Sequence, residues 1–505
     1  IGGYDWNWSN DGLSPGTVQV VDISDPSGAL VKGAAVQVAG PIQSRWQMDE
    51  YEGVFRVVSQ PGGWNTTSPP QVQTFRVNSA SDIQPLGSAT ITLPSSQNEQ
   101  LQSVRFDGPR AYAITALQQD PLFTFDLSDP AHPRQAGQLE MPGSIYHMEP
   151  RGNRVYALGY DSTNPDGALN VSLFDVSNIE QPALLSRVAF GGDWGSFAEG
   201  QNDIQKAFTI LDDQGLILVP FSGGSYDQNS CNYSYGSGIQ LVDTNADSLA
   251  RRGIAPQVGD ARRALVHRDH LFGIGDNTVQ TFDISNRDAP VAQARLDVAR
   301  NITTVRMLGD DLLRFGNDWA TQETVLDVTP TSQAASTQPG AQIDLSQLFG
   351  QDSWSCTGGS YWGGEVFTQG DYAYVPRYGY SYDSTSANYS YQEHLNLFVV
   401  DLTNHEAPQA IGSFGPDPVS NASYFGDIVK TDHAILVGGS DGQYQYDNEG
   451  QVIQKPTYHY DIFDTSDPSA PKLASRFEVP ASISYGGWGV FIGGCSMDMG
   501  WGWYG

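Results

Sequence analysis

The sequence predicts an all-β fold, a β-propeller of four-stranded antiparallel blades, most simply eight of them, with seven or nine as neighbouring solutions. Three observations predict it: a motif that recurs along nearly the whole chain, a proline at a constant offset from that motif, and four short strand patterns in each repeat. The motif is an apolar strand that ends in Asp and is followed by a turn. Its copies are VVDISDP at Asp22, FDLSDP at Asp126, FDVSN at Asp175, LVDTN at Asp243, FDISN at Asp283, VLDVTP at Asp327, VVDLTN at Asp401 and IFDTSDP at Asp464. FRVNSA around Asn78 reads as a degenerate ninth.

Each part of the repeat has a physical reason. A carboxylate at a strand end accepts the backbone N–H groups that the turn exposes, and a following Ser or Thr hydroxyl assists it. The motif aspartates are therefore expected to hold turns rather than to act as catalysts or metal ligands. Pro133, Pro182, Pro290, Pro408 and Pro471 each stand seven residues after their motif Asp. Proline cannot donate to a central ladder, so the strand it opens is expected at a sheet edge. Upstream, one repeat reads LQSVRFDG, PRAYAITAL, PLFTFDLS and PRQAGQLEM, which is four strands. Repeats of about forty residues match a propeller blade, and longer ones require inserted loops.

The domain reading is a single propeller over residues 1–505, with the terminal segments 1–40 and 481–505 contributing to ring closure. Long insertions fall near residues 222–238, 350–364 and 377–394. Composition limits the partners. With 26 Lys and Arg against 57 Asp and Glu, the net charge is −31, a field that repels nucleic acid and anionic membrane. No apolar run is long enough to span a bilayer. The chain begins at Ile1, which reads as the product of processing or as part of a longer protein.

These landmarks resemble a family of secreted prokaryotic proteins with a C-terminal β-propeller domain distantly related to WD40 repeats. The resemblance rests on RWQMDEYEGVFRVVS (Arg45 to Ser59), SVRFDGPRAYAIT (Ser103 to Thr115), DPLFTFDLSDPAHP (Asp120 to Pro133) and LNVSLFDVSN (Leu169 to Asn178). It implies secretion, at the cell surface or outside a prokaryotic cell, and it supplies no catalytic signature. Family members usually carry more sequence before the counterpart of VQVVDIS, so a cleaved N-terminal segment is one candidate partner and self-assembly is another.

The candidate functional residues lie in the insertions. Tyr226, Tyr233, Tyr235, Trp354, Tyr361, Trp362, Tyr380, Tyr382, Tyr389 and Tyr391 sit among Ser, Gly and Asn, a mixture of rigid amphipathic rings and adaptable hydrogen bonding that suits recognition. They point to a protein or a glycan as partner. Cys231 and Cys356 occupy similar polar loops, where an oxidising compartment would permit a disulfide; Cys495 is then the odd one. Cys495, Met497 and Met499 offer the soft donors that suit copper(I), against the plainer reading of a docking tail. Asp161, Asn164 and Asp166, and Asp441, Asp447 and Glu449, offer hard oxygens for calcium but lack EF-hand spacing. No cofactor is otherwise expected. No nucleophile elbow, zinc helix or phosphate loop appears. The sequence therefore favours a non-catalytic binding or scaffold protein over a hydrolase or lyase with an axial site, and over a calcium- or copper-binding surface protein.

Overall fold

A computed structural model describes residues 2–4, 15–62, 68–93, 99–116, 121–227, 232–318, 323–338, 340–345, 358–362, 365–383, 390–416, 423–442, 445–446, 452–454 and 456–479. Among them, eight antiparallel sheets have four or five strands. We call them blades 1 to 8, over residues 48–90, 100–139, 144–190, 194–257, 261–297, 304–344, 358–414 and 423–479. An N-terminal sheet has three strands, Gly2–Tyr4, Gly16–Asp22 and Val31–Val38. A two-stranded ladder, Gln445–Tyr446 with Val452–Gln454, sits within the blade 8 segment. In the four-stranded blades the strands follow chain order, apart from that small ladder in blade 8; this is the meander of a propeller blade. The chain forms two compact units: Ile1–Tyr226 with Tyr233–Leu296, and Asp227–Asn232 with Asp297–Gly505.

Within each unit, successive blades pack face to face, and strand periodicity explains how. In blade 2, Ala111 and Ala113 meet Val58 and Val72 of blade 1, while the alternate residues Tyr112 and Ile114 meet Met148 and Val155 of blade 3. In blade 4, Ile217 and Val219 face Leu158 and Val171 of blade 3, whereas Leu216 and Leu218 face Leu271 and Phe282 of blade 5. The second unit repeats the pattern: Leu313 and Phe315 pack on Val375 and Val400, and Tyr374 and Val399 pack on Ile435 and Phe463. A central strand buried on both faces must be apolar at every position, which is why LILV reads as a continuous run. Each such side chain contributes about 1.5–3 kcal/mol of burial.

The motif turns form as their chemistry dictates in six of the eight copies. Asp22, Asp126, Asp175, Asp283 and Asp464 each accept the backbone N–H of a Ser two residues on, and Asp401 that of Thr403. The next acidic or amide residue repeats the device at Asp25, Asp129, Asn178, Asn286, Asn404 and Asp467. Pro133, Pro182, Pro290, Pro408 and Pro471 immediately precede the outer strands Arg134–Leu139, Ala183–Phe190, Val291–Asp297, Gln409–Phe414 and Lys472–Val479.

The remaining copies depart from expectation. Asp243 pairs with Arg252 and Arg287, and Asn245 takes over the turn by accepting Asp247 and Ser248 N–H. In blade 6 the ladder pairs Asp311 with Pro330, so Asp327 lies three residues inside the strand, opposite Arg314. It is a buried ion-pair partner there, not a turn residue. The degenerate copy is also displaced: Arg76, opposite Val54, occupies the ladder position taken elsewhere by the motif Asp, and Asn78 lies beyond it.

Candidate functional site

Two of the inserted regions extend the sheets rather than looping over them. In blade 4 the second and third strands are Leu216–Asp227 and Asn232–Thr244, of 12 and 13 residues. The first strand, Trp194–Phe197, pairs with Phe221 to Gly224 beside them. Trp194 stacks on Tyr235 at 5.8 Å between ring centroids, and the Tyr235 hydroxyl donates to Asp260. Burial first, and then this acidic partner, push the Tyr235 phenol up to about 12. The root of this hairpin is thus packed and polar-bonded.

In blade 7 the paired strands Tyr372–Asp383 and Ser390–Asp401 have 12 residues each. Tyr382 lies opposite Tyr391 and Tyr380 opposite Glu393. The strand Gly358–Trp362 joins the same extension, with Tyr361 opposite Tyr378 and Trp362 opposite Arg377. Two insertions that are separate in sequence therefore form one three-stranded ladder. The strands of Tyr226, Tyr233, Tyr361, Trp362, Tyr380, Tyr382 and Tyr391 are described, and their side chains are not. Trp354, Tyr389, Cys231, Cys356, Cys495, Met497 and Met499 lie outside the described residues.

A second grouping lies between blades 2 and 3. The segment Ser44-Arg45-Trp46-Gln47 closes a capping box, with Gln47 Oε1 accepting the Ser44 N–H at 2.9 Å and Ser44 Oγ accepting the Trp46 N–H at 3.3 Å. That turn sets Trp46 against the first strand of blade 2, Gln100–Asp107. Gln201 Nε2 donates to Gln102 O and to Tyr146 O, tying this strand to Ser144–Arg151, the first of blade 3. The tie brings Arg105 to His147. Arg105 Nη2 donates to His147 Nδ1 at 2.6 Å and Nη1 to Val104 O, with the guanidinium 3.7 Å from the Trp46 ring centroid. His147 is wholly buried, with its Nε2 3.7 Å from Glu149 Oε2, and Arg151 Nη1 lies 3.0 Å from Glu149 Oε1.

The electrostatics follow from burial. Desolvation, with a smaller push from Arg45, lowers the Arg105 guanidinium to about 9, while Glu149 opposes the shift. Desolvation likewise lowers the His147 pKa, so the ring is neutral at pH 7. Its Nδ1 accepts from Arg105, which places the proton on Nε2. Burial disfavours the Glu149 carboxylate, but contact with His147 and the Arg151 charge hold its pKa below the usual range. Sequence reading missed this group because its members sit on two separate strands and a turn that look purely structural; the available signal was a charged or imidazole side chain inside each buried-type strand, Arg105 in one and His147 in the other.

In the second unit, His459 lies between Asp441, 3.4 Å from Nδ1, and Asp461, 3.5 Å from Nε2, and Arg476 clamps Asp461 at 2.5 and 2.6 Å. The calcium candidates Asp161 and Asn164 each accept backbone N–H groups, from Thr163 and Asp166, as turn residues do. Asp441 belongs to the His459 group, and Asp447 and Glu449 lie outside the described residues. Among the described residues, no three His, Cys, Asp or Glu side chains are grouped to hold a metal ion. No helix there is long and apolar enough to cross a membrane.

A family model described as a β-propeller domain matches residues 4–286. The chain belongs to the β-propeller domain family. This propeller is 27% identical over 247 residues to an uncharacterized protein of Archaeoglobus fulgidus, a match covering 49% of this chain and 34% of that one. It is 30% identical over 159 residues to the uncharacterized protein MJ1554 of Methanocaldococcus jannaschii, covering 31% of this chain and 24% of that one. The propeller thus spans about a third and a quarter of the length of these curated relatives. Among solved structures, apo AztD from Citrobacter koseri is similar at a TM-score of 0.27 and 12% identity, over 79% of this chain and 91% of that one. Hsv2 of Kluyveromyces lactis is similar at 0.25 and 11%, over 85% and 98%.

Proposed function

We propose that this propeller is a non-catalytic binding protein, exported by a prokaryotic cell, that engages a glycan or protein through the extended hairpin of blade 7. The observation that carries the reading is the blade 7 ladder, where two sequence-separated aromatic insertions pair into one three-stranded extension. Strands of 12 residues, against 7 in the counterparts of blade 3, add about 17 Å of reach. A paired ladder holds its side chains in register, which lowers the ordering cost of binding compared with a free loop. Tyr, Trp, Ser and Gly supply contacts of the kind that recognition surfaces use. Export is supported by the sequence resemblance.

The test is a glycan array, with immobilised cell-envelope fractions from a prokaryotic source alongside it, probed with the intact chain and with Trp362→Ala and Tyr382→Ser variants. Binding to a defined glycan or envelope protein that falls about tenfold in the variants, with unchanged thermal unfolding, is the expected result. Binding equal in all three proteins, or absent throughout, refutes the reading.

A further inference from the structure

We propose that the Arg105 group of blades 2 and 3 is a binding site for a small oxyanion, a carboxylate or phosphate group, separate from the aromatic hairpins and independent of their role. The chain carries a net charge of −31, yet two guanidinium groups meet on one indole: Arg105 at 3.7 Å and Arg45 at 4.5 Å from the Trp46 centroid. Neither has a carboxylate oxygen within 4.0 Å among the described residues. Like charges held together on a ring with no counter-ion in contact repel each other, the more strongly the less water surrounds them. Arg105 is buried, so its charge calls for an anion.

The surrounding polar atoms give the same sign. Arg105 Nε, Trp46 Nε1 and Ser103 Oγ are buried and have no hydrogen-bond partner, and His147 Nε2 has only Glu149 Oε2 to face, at 3.7 Å. Three are obligate donors in the tautomer set by the Arg105 to His147 bond, and the hydroxyl can donate. Buried donors without acceptors are costly and rare, and here they stand where two guanidinium groups share one indole. A ligand supplying acceptor oxygens and negative charge satisfies both deficits. Nη1 and Nη2 of Arg105 each spend one N–H, on Val104 O and on His147, which leaves Nε–H and one N–H on each Nη for the ligand. Arg45 is exposed, and Arg151 and Glu149 are partly so, giving the group an edge on solvent. Glu149 stands at one side of the group, where Arg151 and His147 hold it, and Asp203 feels the Arg45 charge at the other.

Calorimetric titration of the full chain at pH 7 and constant ionic strength tests this, with sodium phosphate in one arm and sodium acetate in the other. Saturable binding in at least one arm is expected, weakened about tenfold by Arg105→Gln and roughly threefold by the exposed Arg45→Gln. Phosphate alone identifies a tetrahedral oxyanion, acetate alone a carboxylate, and both together recognition by charge. No saturable binding of either at millimolar concentration, or equal affinity in the wild type and Arg105→Gln, overturns the proposal. If Arg105→Gln does not fold, unchanged affinity in Arg45→Gln overturns it equally.

Discussion

Asp126 and Asp327 carry the same motif letter, and the ladder gives them opposite physics. Asp126 sits at a strand end, where it accepts Ser128 N–H and Oγ and meets solvent and Arg134. Asp327 is buried within a strand, bonded to Arg314 at 2.9 and 3.1 Å, Arg300 at 2.5 Å and Thr329 at 2.6 Å. Burial works against its charge, but the Thr329 hydroxyl and the two guanidinium groups hold its carboxyl below the usual range. Removing that charge strands two cations, so Asp327→Asn is expected to cost about 3–5 kcal/mol in urea unfolding. Asp126→Asn is expected to cost far less, because Asn accepts a backbone N–H in the same way at the next turn position, as Asn178, Asn286 and Asn404 do. Equal losses in the two variants would contradict the assignment. Nothing in VLDVTP distinguishes this Asp from the others; only the ladder register does.

The motif turn also fastens one blade to the one before it. Thr74 Oγ1 donates to Pro130 O at 2.6 Å, and Thr124 Oγ1 donates to Ile179 O, each reaching a turn of the next blade. The approach is close enough to exclude a side chain on the outer strand opposite: a Cβ on Gly137 would stand 2.6 Å from Ile179 O, and one on Gly87 2.6 Å from Ala131 O. Gly412 holds the corresponding ladder position in blade 7, but a Cβ there meets nothing within 4 Å. Gly137→Ala is therefore expected to destabilise by about 1–3 kcal/mol, and Gly412→Ala to stay within about 1 kcal/mol of the wild type. Thermal unfolding of the pair checks this, and a neutral Gly137→Ala would remove the clasp. The motif, the proline and the four-strand order were all legible in the sequence. The clasp was not, because it joins residues about fifty positions apart whose letters, Thr and Gly, carry no mark of the contact.

The whole chain is acidic, with an isoelectric point near 4.3. The turn aspartates Asp22, Asp126, Asp175, Asp283 and Asp464 all have pKa values lowered by the Ser groups they accept from. A lowered folded-state pKa adds stability that is fully present above the unfolded value, about 4, and is lost as pH falls through the folded value. Thermal unfolding is expected to be level near neutrality and to fall below about pH 4. Solubility should be lowest near the isoelectric point, and added salt at pH 7 should raise the transition by screening self-repulsion. A transition temperature indifferent to pH between about 3 and 7 would show that these turns contribute nothing through ionisation.

Local chemistry is enough to determine a repeat of four strands, its acidic turns and its proline-led edge, since each depends on residues within a few positions of one another. The aromatic insertions were visible for the same reason, as departures from a regular spacing. Tertiary structure alone decided that residues 358–362 and 377–383 share one ladder, that Asp327 faces inward, and that Arg45, Arg105 and His147 gather beside the Trp46 indole. Those outcomes depend on which strand lies opposite which and on what burial removes from water, and linear order encodes neither.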